Sequence, residues 1–237
     1  MTAWLPCPYA DDYAFDDAQV RAQWARLHAL DAEPLPRSDA VLHAWTLFHN
    51  GRFEAAEAAG IAAGWAGTSA ANHATAAHAT LVEPHEKARM DLYRRITARA
   101  RLQVLQRPLD AGGWYWLGYA LARHAQGIQI ARALAQGLGA QIRGALETAL
   151  ALAPQHAFAH ATLGGFHAEA IDKVGPLVAA MTYGARADTA MRHLREAQRL
   201  APDSAAVLLD FSSALVMLEG EARLEEATRL QEQAAQV

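Results

Sequence analysis

One arrangement of residues constrains this chain more than any other: it occurs twice. The first copy is Trp114-Tyr115-Trp116-Leu117-Gly118-Tyr119-Ala120-Leu121, an aromatic followed three residues on by Leu-Gly and then by another large residue. It closes on Ala149-Leu150-Ala151-Leu152-Ala153-Pro154. The second copy opens with His160, Leu163-Gly164 and His167 and closes on Glu196-Ala197-Gln198-Arg199-Leu200-Ala201-Pro202, which puts the two prolines 48 residues apart. Self-similarity at a fixed period marks a supersecondary unit that buries its apolar face against its neighbours. The three- and four-residue spacings are helical, and no stretch alternates as a strand would. Glycine lets two helices cross closely, and proline, lacking an N–H, ends them. Alanine dominates the composition, and it has the best helix propensity. With 52% hydrophobic and 19% charged residues, a sizeable core forms. The expected fold class is all-α, an α-solenoid of antiparallel helix pairs with lengthened central units.

Around this centre the other elements fall into place. Asp11 and Asp12 are placed to cap a helix running to about Ala32, with Asp16 and Asp17 near its positive end and an apolar stripe of Phe15, Val20, Trp24, Leu27 and Leu30. Pro34 and Pro36 mark a linker, which divides the chain into an N-terminal segment, 1–37, and a repeat domain, 38–237. Ser38 opens a helix through Phe48 that Asn50-Gly51 ends, and Phe53 to Ala63 returns. Further helices are expected over Ser69–Val82, from Pro84 to Gln106, and as a last pair over Ala205–Leu218 and Ala222–Ala235.

Trp114, Leu117, Gly118 and Leu121, with the proline-terminated endings, resemble the tetratricopeptide repeat, and the resemblance covers about residues 38–235. Ala44, Leu47, Gly51-Arg52-Phe53 and Ala56 repeat its turn and small-residue spacing, and Leu208, Phe211 and Leu215 stand in for it near the end. The period exceeds the usual length of about 34 residues. The extra pieces are Gln126–Ala140 and Ile171–Ala187, apolar over most of their length, and longer helices with a packed or lid-like corner are expected there. The arrangement is similar to the helical domain of the regulator of microtubule dynamics proteins. It also resembles the tetratricopeptide component of bacterial TRAP organic-acid transporters, which implies a bacterial setting. Those resemblances imply a scaffold and, in some relatives, a groove for small hydrophobic ligands or lipid.

In such arrays the first helix of each pair lines the concave face. Counted from the Leu-Gly anchors, the inner positions are Trp45, Phe48 and His49; then Tyr115, Tyr119 and Arg123; then Phe158, Gly165, Ala168, Glu169 and Lys173; then Leu209, Ser213 and Met217. Trp45, Phe48, Tyr115, Tyr119, Arg123, Phe158, Glu169 and Lys173 are the candidate groove residues. Aromatic side chains beside a few placed charges suit a ligand or peptide groove. The same residues become ordinary core if the inserts fold inward.

The other motifs exclude more than they include. The formal charge of −4 and the absence of a basic cluster argue against nucleic acid. Lys87 and Lys173 are the only lysines, and the run Arg94, Arg95, Arg99, Arg101 reads as a solvated helix face. Cys7 is alone, so no intrachain disulfide forms, and the first residues lack a signal-peptide pattern; both fit a cytoplasmic protein. The uncharged stretch Thr148–Ala168 contains Pro154, three histidines and a Gly pair, and it is not a membrane span. His85-Glu86-Lys87-Ala88-Arg89 lacks the second histidine of a zinc-protease motif, and Gly137-Leu138-Gly139 with Gly144 misses the dinucleotide spacing. No cofactor is expected. His156, His160, His167, Glu169 and Asp172 are a candidate metal cluster, but packing is the simpler reading of these histidines. Asp172-Lys173 would form a local ion pair, and Asp188 would cap the helix after a turn at Tyr183-Gly184. The leading expectation is a non-catalytic scaffold that binds a protein or peptide in its groove. The alternative is a carrier for a hydrophobic small molecule or lipid, and a metal-dependent enzyme ranks third.

Overall fold

The computed structural model describes residues 4–237, the side chain of Asp11 excepted. Every regular element among the described residues is a helix, with no strand, and no helix is long and apolar enough to cross a membrane. In chain order the α-helices are α1 (Asp17–Ala22), α2 (Trp24–Leu27), α3 (Asp39–His49), α4 (Phe53–Ala62), α5 (Thr68–Ala77), α6 (Glu86–Gln106) and α7 (Ala111–Gln126). They continue as α8 (Ile130–Ala135), α9 (Leu138–Leu152), α10 (Ala157–Val174), α11 (Pro176–Tyr183), α12 (Ala187–Leu200), α13 (Ala205–Glu219) and α14 (Leu224–Ala234). Helices close in sequence are close in space: α3 packs on α4, α4 on α5, α6 on α7, α7 on α9, α10 on α12 and α13, and α13 on α14.

Small residues govern these approaches. A Cβ on Gly118 of α7 would lie 2.6 Å from Leu146 Cγ of α9, and one on Gly164 of α10 would lie 2.6 Å from Leu194 Cγ of α12. Both leucines are fully buried. At the matching place in α13 stands Ser212, also buried, whose hydroxyl donates to Ala227 O of α14 at 2.9 Å. The backbones approach because nothing larger than a hydroxymethyl group lies between them.

α5 is almost entirely buried although it is built of Ala, Thr, Ser, Asn and His. Its polar groups are satisfied by the flanking helices, as burial demands. Glu57 of α4, 6% exposed, accepts from Arg95 Nη2 at 2.6 and 2.7 Å, from Thr75 Oγ1 at 3.0 Å and from Arg99. Arg99 Nε donates to Asn72 Oδ1 at 2.9 Å, and Gln103 bridges Ser69 and Asp110. The run from Arg94 to Arg101 is therefore not one solvated face. Arg95 and Arg99 turn inward onto Glu57, while Arg94 pairs with Asp91 and Arg101 bonds Gln141.

Three other expectations change. The helix expected from Asp11 to Ala32 is broken: a 3₁₀ turn at Ala10–Asp12, then α1, then α2. Its cap is Asp16, which forms a capping box with Gln19; the Asp11 side chain lies outside what is described. The inserts lengthen their helices only in part: Ile171–Val174 extends α10 and Leu138–Ala140 opens α9, while the rest folds as the short helices α8 and α11. Asp188 sits in the first turn of α12 without capping it, since its carboxylate accepts from Thr189 N. By contrast Gly51, at φ +69°, ends the α3 region as expected.

The glycine contacts yield a graded prediction. Gly118→Ala and Gly164→Ala should each destabilise by about 1–3 kcal/mol through overpacking. Gly144→Ala, exposed in α9 with nothing within 4 Å of the new methyl group, should instead stabilise by about 0.5–1 kcal/mol. Urea unfolding of the three variants measures this, and equal stabilities would contradict it.

Candidate binding cleft

Half of the candidate groove is already occupied by the chain itself. Between Trp24 and Glu33 the backbone forms a closed segment: Trp24 Nε1 donates to Glu33 O at 2.8 Å. Its rings and charges lie on α3 and α5. The Trp24 ring stacks on His28 at 3.9 Å and meets Trp45 edge-on at 5.8 Å. His28 Nδ1 lies 3.0 and 3.1 Å from the two Asp31 carboxylate oxygens, its Nε2 faces His49 Nε2 at 3.1 Å, and His73 Nδ1 lies 3.6 Å from Asp31. At the far end Phe158 N, in the first turn of α10, donates to Leu30 O at 3.2 Å.

Four of the candidates lie in this packed half. Trp45, 1% exposed, and Tyr115, 4% exposed, are core residues rather than groove residues. The inserts do not bury them. The N-terminal segment covers Trp45, and Tyr115 packs against the His156 ring at 4.4 Å. Phe48 joins the same cluster, 4.5 Å from the His73 ring and 5.8 Å from Phe53. Phe158 packs with Leu30.

Burial dictates the protonation of this cluster. It pushes His49 down to about 3, and His73 and His156 down to about 4. Burial opposes ionisation of Asp31, but the His28 hydrogen bond and the neighbouring imidazoles outweigh it and hold its carboxyl below the usual range. Glu33 is held well above that range by burial and by the charges of Asp31 and Asp110, against the opposing Arg107.

Three of the other four candidates, Tyr119, Arg123 and Glu169, come together on an open cleft, while Lys173 lines the apolar hollow beside it. Counting one and five residues past Gly118, Gly164 and Ser212 gives Tyr119 and Arg123, Gly165 and Glu169, Ser213 and Met217; all six line one hollow between α7, α10 and α13. The hollow encloses about 710 Å³, its mouth included. Arg123 lies over the Tyr119 ring at 5.2 Å and donates to Gln126 Oε1 at 3.2 Å. Gln126 Nε2 donates to Glu169 Oε2 at 2.7 Å, and Glu169 pairs with Lys173, so Lys173 is not the partner of Asp172. Burial opposes the charge on Arg123, but Tyr119, Asp210 and Tyr93 outweigh it and keep the guanidinium protonated. A second hollow of about 680 Å³ joins at Arg123 and Gln126 and runs to Thr80, Arg89 and Tyr93.

Among the cleft residues that the sequence did not single out, Asp210 and Gln126 carry the polar chemistry. Asp210 is exposed and lines the cleft, where desolvation by the surrounding helices pushes its carboxyl up against the pull of Arg123. Its signal was present, since Asp210, Ser213 and Met217 share a face at i, i+3 and i+7. Gln126 stood where the helix meets its insert, and nothing in the sequence tied it to Glu169.

A separate apolar hollow of about 540 Å³ borders the cleft at Ala122, Phe166 and Glu169. Both inserts supply its wall, Ile130 and Ala133 from one, Val174 and Tyr183 from the other. A Cβ on Gly139 would lie 2.1 Å from Tyr183 Cδ1, so the Tyr183 ring rests directly on the α9 backbone.

The histidines of α10 are packed separately. His156 Nδ1 accepts from Ala159 N and caps the helix, His160 Nδ1 faces His193 Nδ1 at 2.8 Å, and His167 Nδ1 accepts from Arg186 N. Among the described residues no group of three or more His, Cys, Asp or Glu side chains is placed to hold a metal ion.

The occupied half should be acid-labile. Unfolded imidazoles protonate near about 6.5, whereas His73 and His156 do so at about 4 and His49 at about 3 when folded. Their contribution is therefore complete above about pH 6.5 and is lost as pH falls toward 4. Glu33 has the opposite sign: its raised folded value gives a contribution present at low pH and lost as pH rises through that value. The melting temperature and tryptophan emission should fall off between pH 7 and pH 4. Glu33→Gln should raise the melting temperature at pH 8 with little effect at pH 4.5. A flat acid profile, or no gain from Glu33→Gln at pH 8, would contradict the assignment.

No family model and no curated protein matches the chain.

Proposed function

We propose that this protein is a non-catalytic, tetratricopeptide-like array of antiparallel helix pairs that binds a segment of a protein or peptide in the cleft between α6, α7, α10 and α13. The recurrence of one contact supports the array: Gly118 takes Leu146 and Gly164 takes Leu194 at the same 2.6 Å. The observation that carries the function is the convergence of Tyr119, Arg123, Gly165, Glu169, Ser213 and Met217, equivalent positions in three successive units, on one open hollow. A core needs no such surface. Arg123 strengthens the case, because among the described residues no carboxylate lies within 4.0 Å of it, and a partly buried cation is best satisfied by an incoming acceptor. A chain segment fits better than a compact molecule for two reasons. The two joined hollows make an elongated space, and the neighbouring half of the surface already receives residues 24–33 through aromatic stacking and a backbone hydrogen bond. The lone Cys7 suits a reducing, cytoplasmic setting for such a scaffold.

Selection from a random peptide library tests this reading. The wild-type protein should enrich a consensus, and the Tyr119→Ala/Arg123→Ala variant, with an unchanged circular dichroism spectrum, should bind it at least about tenfold more weakly. Failure to enrich any consensus would overturn the reading.

The apolar hollow between the inserts favours a second reading, a carrier for a hydrophobic small molecule. Native mass spectrometry of freshly purified protein would then show added ligand mass that Phe166→Ala/Val174→Asp reduces. A clean apo mass from repeated preparations would remove it.

A further inference from the structure

Beyond α5 the chain makes one turn of π-helix, His78–Val82, before entering α6. Such turns are rare and concentrate at functional sites. This one sets Thr80 Oγ1 3.1 Å from Tyr93 OH and 3.0 Å from Tyr119 OH. Thr80 and Tyr93 line the hollow at the α6 end of the cleft, together with Arg89 and Arg123. Two bonds among three hydroxyls use two of their protons, which leaves one O–H free to donate. Arg89 makes only a long bond, Nη1 to Glu83 O at 3.4 Å, and Arg123 bonds Gln126 and rests against Tyr119, which leaves donors on both guanidinium groups. Neither guanidinium has a carboxylate within 4.0 Å among the described residues. The one acid lining the hollow is Glu86, which is exposed.

We infer that this hollow binds a phosphate monoester. Its free donors, two guanidinium forks and a hydroxyl, outnumber what the two oxygens of a carboxylate accept and match three terminal phosphate oxygens. The two positive charges match the charge of about −1.5 to −2 that a phosphate monoester carries near pH 7. The inference rests on the proposed cleft being a binding surface and specifies the chemistry of its α6 end.

Titration of the full chain with inorganic phosphate, with acetate and with sodium chloride at matched ionic strength tests it by calorimetry and thermal shift. Phosphate should bind and raise the melting temperature, while acetate and chloride should not. Arg89→Gln and Arg123→Gln should each weaken phosphate binding at least about tenfold. Thr80→Val should weaken it several-fold with an unchanged circular dichroism spectrum. Acetate binding as well as phosphate, or Arg89→Gln binding phosphate like the wild type, would overturn the inference. Within it, glycerol 3-phosphate and a phosphoserine decapeptide separate two sources. Tighter binding of the peptide marks a phosphate carried on a partner chain, and equal binding marks a small phosphorylated molecule. Arg89 lies outside the hollow that the six repeat-equivalent residues line. A peptide consensus selected by a protein that ignores phosphate therefore leaves the cleft reading standing, and phosphate binding without any selected consensus leaves the present one.

Discussion

Leu146 and Leu194 each sit in the notch that a glycine leaves on the facing helix, and the placement of the cleft residues of α7 and α10 follows from those two contacts. With a Cβ in either notch, α9 or α12 would stand off from its partner, and α7 and α10 would turn. Tyr119 and Arg123 lie one and five residues beyond Gly118, and Gly165 and Glu169 hold the same places beyond Gly164. Any rotation of α7 or α10 about its axis moves both cleft positions together. Ser212 does the same work in α13 with one added atom, and its hydroxyl is satisfied by Ala227 O, so the closer approach carries no unpaired polar group.

The N-terminal segment has a different energetic character. It holds Ala32 at φ +52°, a conformation strained for a residue with a Cβ. It places Glu33 where ionisation is disfavoured and buries His49, His73 and His156 where protonation is disfavoured. Trp24 against Trp45, with Leu30 against Phe158, supplies the apolar burial that offsets these terms. A segment held by such opposed contributions is bound less firmly than its burial alone suggests. It lies on the same succession of helices, α3, α5 and α10, that continues into the open cleft.

The sequence disclosed the parts of the fold that depend on period and failed where tertiary contacts decide. Leu-Gly spacing and the proline stops located α7, α9, α10 and α12, because close crossings need a small residue at a fixed turn of the helix. The same spacing located Tyr119, Arg123, Glu169 and Met217 on one face. It also pointed to Trp45 and Tyr115, but periodicity does not register the distant Trp24 and His28 folding over the one or His156 packing on the other. Arg99 was misread for a similar reason. An arginine on a helix face looks solvated until Glu57 arrives from 42 residues away. Asp210 was legible at i, i+3 and i+7 with Ser213 and Met217, but the hydrophobic Leu209 beside it drew the face one residue off.

The charges of the cleft are arranged along it rather than paired across it. Glu169 is tied to Lys173 and Gln126 at the α10 side, Asp210 stands on α13, and Arg123 with Arg89 faces the α6 end. Gln126 links the two sides: it accepts from Arg123 and donates to Glu169. An amide can serve both sides because it carries a donor and an acceptor on one rigid plane. The two ends of the cleft therefore differ in the charged groups they present, Arg89 and Arg123 toward α6 and Asp210 toward α13, and unlike charges at the two ends set apart one orientation of an elongated ligand from the other.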